Sequence, residues 1–171
     1  MAHLDIVNPA EIDRFAELNV IANLQMLWAR RDTEIVERKL PLLGRERESQ
    51  HFPFASLARA GAHLSAGNDL PVSDPNPLWA IYTGVHRTEP REDVHARGDE
   101  ALTIPLEPAE ALDFHTALDA YTLGSERVNE LDGFTGAIRP GFAADLAWID
   151  GDISEGHHLG SSTVNETFVT G

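Results

Sequence analysis

A lone carboxylate, Asp69, stands at the end of a short apolar stretch and just before a proline. Residues 62–72 predict a buried strand that ends on this acid and breaks at Pro71. In (β/α) barrels, catalytic and metal-binding groups lie at the C-terminal ends of strands, where this stretch would place Asp69. Aspartate also commonly opens turns that contain proline, so the stretch alone leaves a purely structural role open.

Composition narrows the chemistry that the chain can do. Its 171 residues include no cysteine, which excludes disulfides, zinc–thiolate sites and thiol nucleophiles. Eight histidines and 28 acidic residues remain as metal ligands, and they suit hard or borderline divalent ions. The net charge of −15 repels phosphate backbones, so we expect no nucleic-acid binding. Neither a membrane-spanning apolar run nor a signal-peptide pattern occurs, so we expect a cytoplasmic location and no membrane contact.

The beginning of the chain alternates between predicted strands and a helix. Asn8 and Pro9 are typical of a helix start, and an apolar stripe at helical spacing follows them. Strands are predicted on either side, over residues 3–7 and 20–25. Such a β-α-β unit favours a parallel sheet. Residues 26–50 are polar and too long for a bare connection, so we expect short helices within them.

The same alternation continues to residue 131, in the order β-α-β-α-β-α-α. Asn76 and Pro77 mark one helix start, and Leu123 and Gly124 are expected to interrupt the last helical stretch. A charged, irregular loop is predicted over residues 86–106. The remaining predicted elements are a helix over 52–62, a strand over 63–69, a helix over 77–85, a helix over 108–121 and a further helix over 125–131.

The end of the chain has a different pattern. Residues 135–141 predict a hairpin with a Pro-Gly turn, and strands are predicted over residues 144–150 and 164–169. A small antiparallel β unit, residues 132–171, therefore follows an α/β unit, residues 1–131. Three parallel strands cannot close a barrel, so we expect this α/β unit to be part of a larger one.

Several of these stretches together resemble the amidohydrolase superfamily. Within it, they look like the third amidohydrolase family, which includes hydrolases similar to N-substituted formamide deformylase. Their order and spacing match the late barrel strands and the β-sandwich of such enzymes. The stretches that carry the resemblance are residues 3–9, 20–25, 52–57, 67–73 and 135–146.

The resemblance implies the fold and the site. It implies a partial (β/α)8 TIM barrel, consisting of strands six to eight with their helices, followed by a C-terminal antiparallel β-sandwich segment. It also implies one or two divalent metal ions, zinc first among them, and hydrolysis of a carbon–nitrogen bond. His3 falls at the strand-six metal histidine. Asp69 falls at the strand-eight aspartate, which implies both a metal contact and a general base.

The chain departs from the family pattern at and near these positions. Asn68 and Leu70 replace the usual serine and tryptophan around the aspartate, and Met26 replaces the proline of a Gln-Pro turn. The family's His-x-His motif, its bridging lysine or glutamate and its strand-five histidine have no counterpart. Lys39 follows the strand-seven position, so it is no candidate for the bridge. Two ligands are fewer than the three that catalytic zinc sites use.

Other candidate residues have simpler interpretations. His157 and His158 are adjacent and would point to opposite faces of a strand, which favours a solvated loop over a metal site. Trp28 and Trp79 either line a pocket or pack in the core. The remaining histidines occur singly and are expected to be structural or exposed: His51, His63, His86, His95 and His115.

Two functional hypotheses follow. The first is the C-terminal portion of a metal-dependent amidohydrolase that acts on a small-molecule amide, with residues 26–50 and 73–106 shaping its pocket. Because its catalytic set is incomplete, we expect the isolated chain to be inactive. The alternative is a non-catalytic, truncated hydrolase fragment that serves as an oligomeric or interaction module. In either case the expected partner is a second copy or the remainder of the enzyme.

Overall fold

A parallel sheet of three short strands forms the centre of the first part of the protein. The computed structural model describes residues 1–94 and 98–169. The strands β1, β2 and β3 lie side by side in chain order at Ala2–His3, Ala22–Leu24 and Leu64–Ala66. Both strand pairs are parallel, with His3 level with Leu24 and Leu24 level with Ala66. The predicted parallel β-α-β arrangement is confirmed, although each strand is shorter than expected.

Helices connect the strands and cover the sheet. Short 3-10 helices also occur at Pro9–Glu11, Met26–Trp28, Pro108–Glu110 and Ser154–Gly156, and a π-helix spans Glu34–Lys39. The short helices expected within residues 26–50 are therefore present. The α-helices are α1 (Ile12–Glu17), α2 (Leu40–Glu48, kinked at Gly44), α3 (Phe54–Arg59), α4 (Pro77–His86), α5 (Asp99–Thr103), α6 (Phe114–Tyr121) and α7 (Leu123–Val128).

Two helix starts follow directly from local chemistry. The side chain of Asn8 accepts a hydrogen bond from the Ala10 amide at 3.0 Å, and Asn76 accepts one from Leu78 at 3.0 Å. Each asparagine satisfies an amide that has no partner inside its helix, and the proline after it needs none. Both predicted starts are confirmed.

The core lies between the sheet and the helices that cover it. Leu24 of β2 and Leu57 of α3 are fully buried, as is Phe54. Met26 and Leu27, directly after β2, are buried against α4. These contacts hold the C-terminal end of β2 rigidly, because burial of large apolar side chains supplies most of the stabilising free energy.

Arg87 is the largest fully buried side chain of the described residues, and it lies within the segment 86–106 that was predicted to be loop. Its guanidinium donates hydrogen bonds to the carbonyls of Leu106 at 2.6 Å and Phe52 at 3.2 Å, and it lies over the Phe54 ring. The prediction of an irregular loop over residues 86–106 is wrong in part. The segment contains helix α5 and returns to the core, because charged side chains such as Arg87 find partners there. His95 lies outside the described residues.

A separate, antiparallel pair of strands forms the second sheet. β4 (Leu146–Ile149) pairs with β5 (Val164–Phe168), as predicted, while Thr170 and Gly171 lie outside the described residues. The hairpin expected over 135–141 is wrong. Phe142 donates to the Arg139 carbonyl at 3.1 Å, so the turn forms, but no strands pair there. The Pro-Gly sequence favours a turn, but a hairpin also needs two flanking strands whose backbones pair with each other.

The part of the chain after α7 also contacts the first part. Trp79 of α4 donates its indole N–H to the Gly160 carbonyl at 3.0 Å, and Leu159 is fully buried in the common core. The boundary at residue 131 stays a prediction. Among the described residues, none of the helices combines the length and apolar character needed to cross a membrane.

Candidate functional site

His3 and Asp69 meet at the C-terminal edge of the parallel sheet. His3 ends β1 and Asp69 follows β3 by three residues, so the parallel direction brings both to one edge. His3 Nε2 lies 3.5 Å from Asp69 Oδ2, and both side chains are partly exposed. The structure thus brings together the two residues that the sequence singled out, 66 positions apart in the chain.

The backbone at both residues is in the left-handed region. His3 has φ of 74° and Asp69 has φ of 55°, and neither is glycine. Such conformations each cost of order 1 kcal/mol or more and occur preferentially at functional sites. At Asp69 the backbone also begins a turn, because Val72 donates to the Asp69 carbonyl at 2.7 Å. Asp69 therefore opens a turn three residues after the end of β3, which confirms the turn interpretation of the stretch.

A chain of polar side chains crosses the sheet and reaches His3. The His3 amide donates to Gln25 Oε1 at 2.7 Å, and Gln25 Nε2 donates to Asn23 Oδ1 at 2.6 Å. Asn23 Nδ2 then donates to Ser65 Oγ at 3.0 Å. This series of hydrogen bonds fixes the backbone of His3 relative to β2 and β3. Sequence reasoning missed it, although Asn23 of β2 and Gln25 directly after β2 alternate as two polar residues within the predicted strand 20–25, which is a readable signal.

Asn68 anchors the turn that carries Asp69. Its side-chain amide donates to the carbonyls of Asp74 at 2.5 Å and Asn76 at 3.2 Å. Its side-chain oxygen accepts from the Tyr121 hydroxyl, and burial raises the pKa of Tyr121, which keeps that group a donor. The asparagine that replaces the family's usual serine is therefore the hydrogen-bonding centre of this turn.

Trp28 forms a wall beside His3. The two ring centroids lie 5.0 Å apart with the planes at 59°, and Trp28 also lines a cavity of about 300 Å³. Both alternatives left open for Trp28 are observed, since it lines this cavity and also packs against the core. Trp79 packs against the core as well.

A buried ion cluster lies behind this cavity. Arg30 Nη1 is 2.9 Å from Asp93 Oδ2 and 3.2 Å from Glu89 Oε1, and Arg30 Nε is 3.5 Å from Asp32 Oδ2. Burial raises the pKa of Glu89 to about 8, against the opposing effect of Arg30, and the nearby Asp93 adds to the rise. The cluster joins the segment after β2 to residues 87–94, a link that local sequence patterns do not reveal.

Lys39 also lies near the site. It ends the π-helix, and its Nζ is 2.5 Å from Asp5 Oδ2, two residues after His3. As predicted, it follows β2 in the chain. The ion pair ties the π-helix to the end of β1.

Three of the other histidines, His51, His63 and His86, make contacts elsewhere. His51 is buried with its ring nitrogen 3.0 Å from the Glu48 carbonyl, and His86 is 3.1 Å from the Gly156 carbonyl. His63 contacts Arg127 at the opposite end of β3. None of the three lies near His3 and Asp69.

The His3–Asp69 pair fits two ligands of one metal ion. Zinc bonds to imidazole nitrogen and carboxylate oxygen are about 2.0–2.2 Å, so two tetrahedral ligand atoms lie about 3.4 Å apart. The observed separation of 3.5 Å matches this value. However, no group of three His, Asp or Glu side chains within residues 1–94 and 98–169 could hold a metal. Within the described residues, this pair therefore falls short of the three protein ligands of a catalytic zinc site.

Two solved structures are similar to this chain. An uncharacterized metal-dependent hydrolase from Pyrococcus horikoshii OT3 matches with a TM-score of 0.65 and 29% identity, over 82% of this chain and 26% of its own. A second such hydrolase, from Pyrococcus furiosus, matches with a TM-score of 0.61 and 24% identity, over 82% of this chain and 25% of its own. The second likeness concerns the fold alone.

The chain belongs to the amidohydrolase family, whose sequence profile matches residues 1–171. It is also 35% identical over 145 residues to the Protein LONG AFTER FAR-RED 3 of Arabidopsis thaliana. That match covers 84% of this chain and 23% of the plant protein. The chain thus spans about a quarter of the length of the relatives that it matches.

Proposed function

We propose that this chain forms the last barrel strands and the following β-sandwich segment of a metal-dependent amidohydrolase. In that arrangement β1, β2 and β3 are strands six to eight of a (β/α)8 barrel. The observation that carries the proposal is the 3.5 Å approach of His3 and Asp69 at the C-terminal edge of the sheet. Barrel enzymes place their active sites at this edge.

His3 and Asp69 would hold a divalent metal ion, with zinc the first candidate. When bound, such an ion lowers the pKa of water and polarises a carbonyl group. The Asp69 carboxylate accepts a proton from the attacking water and then donates it to the leaving nitrogen, so that a carbon–nitrogen bond of a non-peptide amide is broken. The hydrogen bond from the His3 amide to the Gln25 side chain keeps the histidine in place during this proton transfer.

The family branch that includes hydrolases similar to N-substituted formamide deformylase suggests small amides as substrates. Because this chain supplies two ligands, the remaining ligands come from the other barrel strands in this account. The isolated chain is accordingly expected to be inactive.

A chimera tests this proposal. We would graft this chain into the Pyrococcus horikoshii hydrolase in place of the matching quarter. We expect the chimera to keep its bound metal and to hydrolyse amides from a panel, and Asp69→Asn to reduce the rate by about 10²–10⁴-fold through loss of the base. As a control, Asp13→Asn removes an exposed carboxylate of α1 and leaves the rate unchanged. Equal activity and metal content with and without Asp69 would contradict the proposal.

The alternative is a non-catalytic interaction module. It is favoured by the apolar side chains that the second sheet exposes, since Trp148 is 60% and Phe168 48% exposed. Apolar patches of this kind mark interaction sites. In this case the purified chain forms a metal-free oligomer in sedimentation analysis, and the chimera shows no hydrolysis that depends on Asp69.

A further inference from the structure

Two adjoining cavities lie between the segment that follows β2 and the turn that follows β3. The first, of about 300 Å³, is lined by Trp28 and is called here the Trp28 cavity. The second, of about 480 Å³, is lined by the turn residues 70–75 and is called here the turn cavity. They share four lining residues: Arg30, Asp32, Val72 and Ser73. Together they form a groove that begins beside His3 and Asp69.

The wall nearest the His3–Asp69 pair is apolar. Trp28, whose ring lies 5.0 Å from the His3 ring, faces the same cavity as Ile35 and Val72. The rest of this cavity is lined by Arg30, Asp32, Glu34, Lys39 and Ser73. Cavities of a few hundred cubic ångströms that combine apolar walls with placed polar groups are typical of small-molecule sites. An apolar or aromatic substituent on this wall would hold its attached amide close to His3 and Asp69.

The cations of the groove already have acidic partners. Arg30 contacts Asp93 at 2.9 Å and Glu89 at 3.2 Å, and Lys39 contacts Asp5 at 2.5 Å. Every described cation that lines the two cavities is thus paired within the protein.

The turn cavity carries an excess of negative charge. Three acids line it, Asp32, Asp74 and Asp93, against the single cation Arg30. A ligand carboxylate placed there would lose hydration and face like charges without a free cation, which is unfavourable. A ligand ammonium group or an uncharged group meets no such opposition.

We propose that this groove selects amides with an apolar, aromatic-sized substituent that are uncharged or cationic, and that it excludes amides that carry a carboxylate. Trp28 provides the contact for the apolar substituent, and the acids of the turn cavity, Asp32, Asp74 and Asp93, exclude the carboxylate. The inference rests on the proposed hydrolase function, because it takes the amide end to lie at His3 and Asp69.

Three matched probes test the inference without turnover or added metal. They are N-benzylacetamide, its 4-aminomethyl derivative and its 4-carboxy derivative, each titrated into the 171-residue chain while backbone amide NMR shifts are followed. We expect the first two to shift amides of residues 26–36 and 70–75, and the carboxylate to bind at least about tenfold more weakly. A carboxylate that binds as well as the neutral probe, shifts confined to other residues, or no binding of any probe would overturn the inference.

Two pairs of variants locate the binding. Trp28→Ala is expected to weaken binding of N-benzylacetamide at least about fivefold, through loss of aromatic contact. Trp148→Ala, which removes an exposed tryptophan from β4, is expected to leave it unchanged. Val72→Asp puts a charge into the groove from an exposed turn and is expected to abolish binding, whereas Val94→Asp, also exposed, is not. Unchanged binding in Val72→Asp would contradict the inference even if Trp28→Ala failed to fold. Because no probe needs the metal, this result is independent of the chimera experiment.

Discussion

Replacing Arg87 with alanine is expected to lower the free energy of unfolding by about 3–5 kcal/mol. The substitution leaves the buried carbonyls of Leu106 and Phe52 without their donor and opens a cavity beside the Phe54 ring. Burial lowers the pKa of Arg87 to about 10, so the guanidinium is still charged at neutral pH when it makes these contacts. The loss is a large fraction of the 5–15 kcal/mol typical of a domain. Urea denaturation followed by circular dichroism measures it.

Arg38→Ala is the matched control for this prediction. Arg38 is 75% exposed and pairs with Glu34 one helical turn away, so its loss is expected to cost less than about 0.5 kcal/mol. Equal midpoints for the Arg87 and Arg38 variants would show that the buried contacts of Arg87 contribute little.

Gly124→Ala is the second substitution with a large expected effect. Gly124 is where α7 meets β3, and a Cβ there would lie 2.1 Å from the Leu64 carbonyl oxygen. Because that atom belongs to the backbone of β3, helix and strand must separate, at a cost of at least about 1–3 kcal/mol. We expect a thermal midpoint several degrees lower and altered amide NMR shifts along β3 towards Asp69.

Gly133→Ala serves as the control, since nothing lies within 4 Å of its added Cβ. It is expected to leave both the midpoint and the β3 shifts unchanged. If Gly124→Ala behaved in the same way, α7 would not pack on β3 as closely as described.

Elements with strong local signals could be predicted from the sequence. Asn8 and Asn76 cap helices because each is followed by proline and an apolar stripe, and the interactions they need are local. The parallel sheet follows from the alternation of strands and helices. Strand lengths were overestimated, because residues 20, 21 and 25 continue the strand-like pattern on either side of Ala22–Leu24, the residues that pair with β3.

Long-range partners could not be predicted from the sequence. Arg30 and Arg87 look like solvent-exposed charges in a polar segment, yet each is buried on partners more than ten residues away. The candidate site likewise contains residues that the sequence predicted and contacts that it did not. His3 and Asp69 were found through family spacing, whereas the Asn23–Gln25 chain and the role of Asn68 depend on contacts between elements, which a single sequence does not display.

We propose that His3 and Asp69 together bind one divalent metal ion. Paramagnetic Co²⁺, added in place of zinc to the 171-residue chain, broadens the NMR signals of nearby amides and so locates the ion. We expect saturable broadening around His3, Gln25 and Asp69, with affinity reduced at least about tenfold in His3→Ala and in Asp69→Asn. Broadening centred elsewhere, such as at His157 and His158, or identical affinity in both variants, would contradict it.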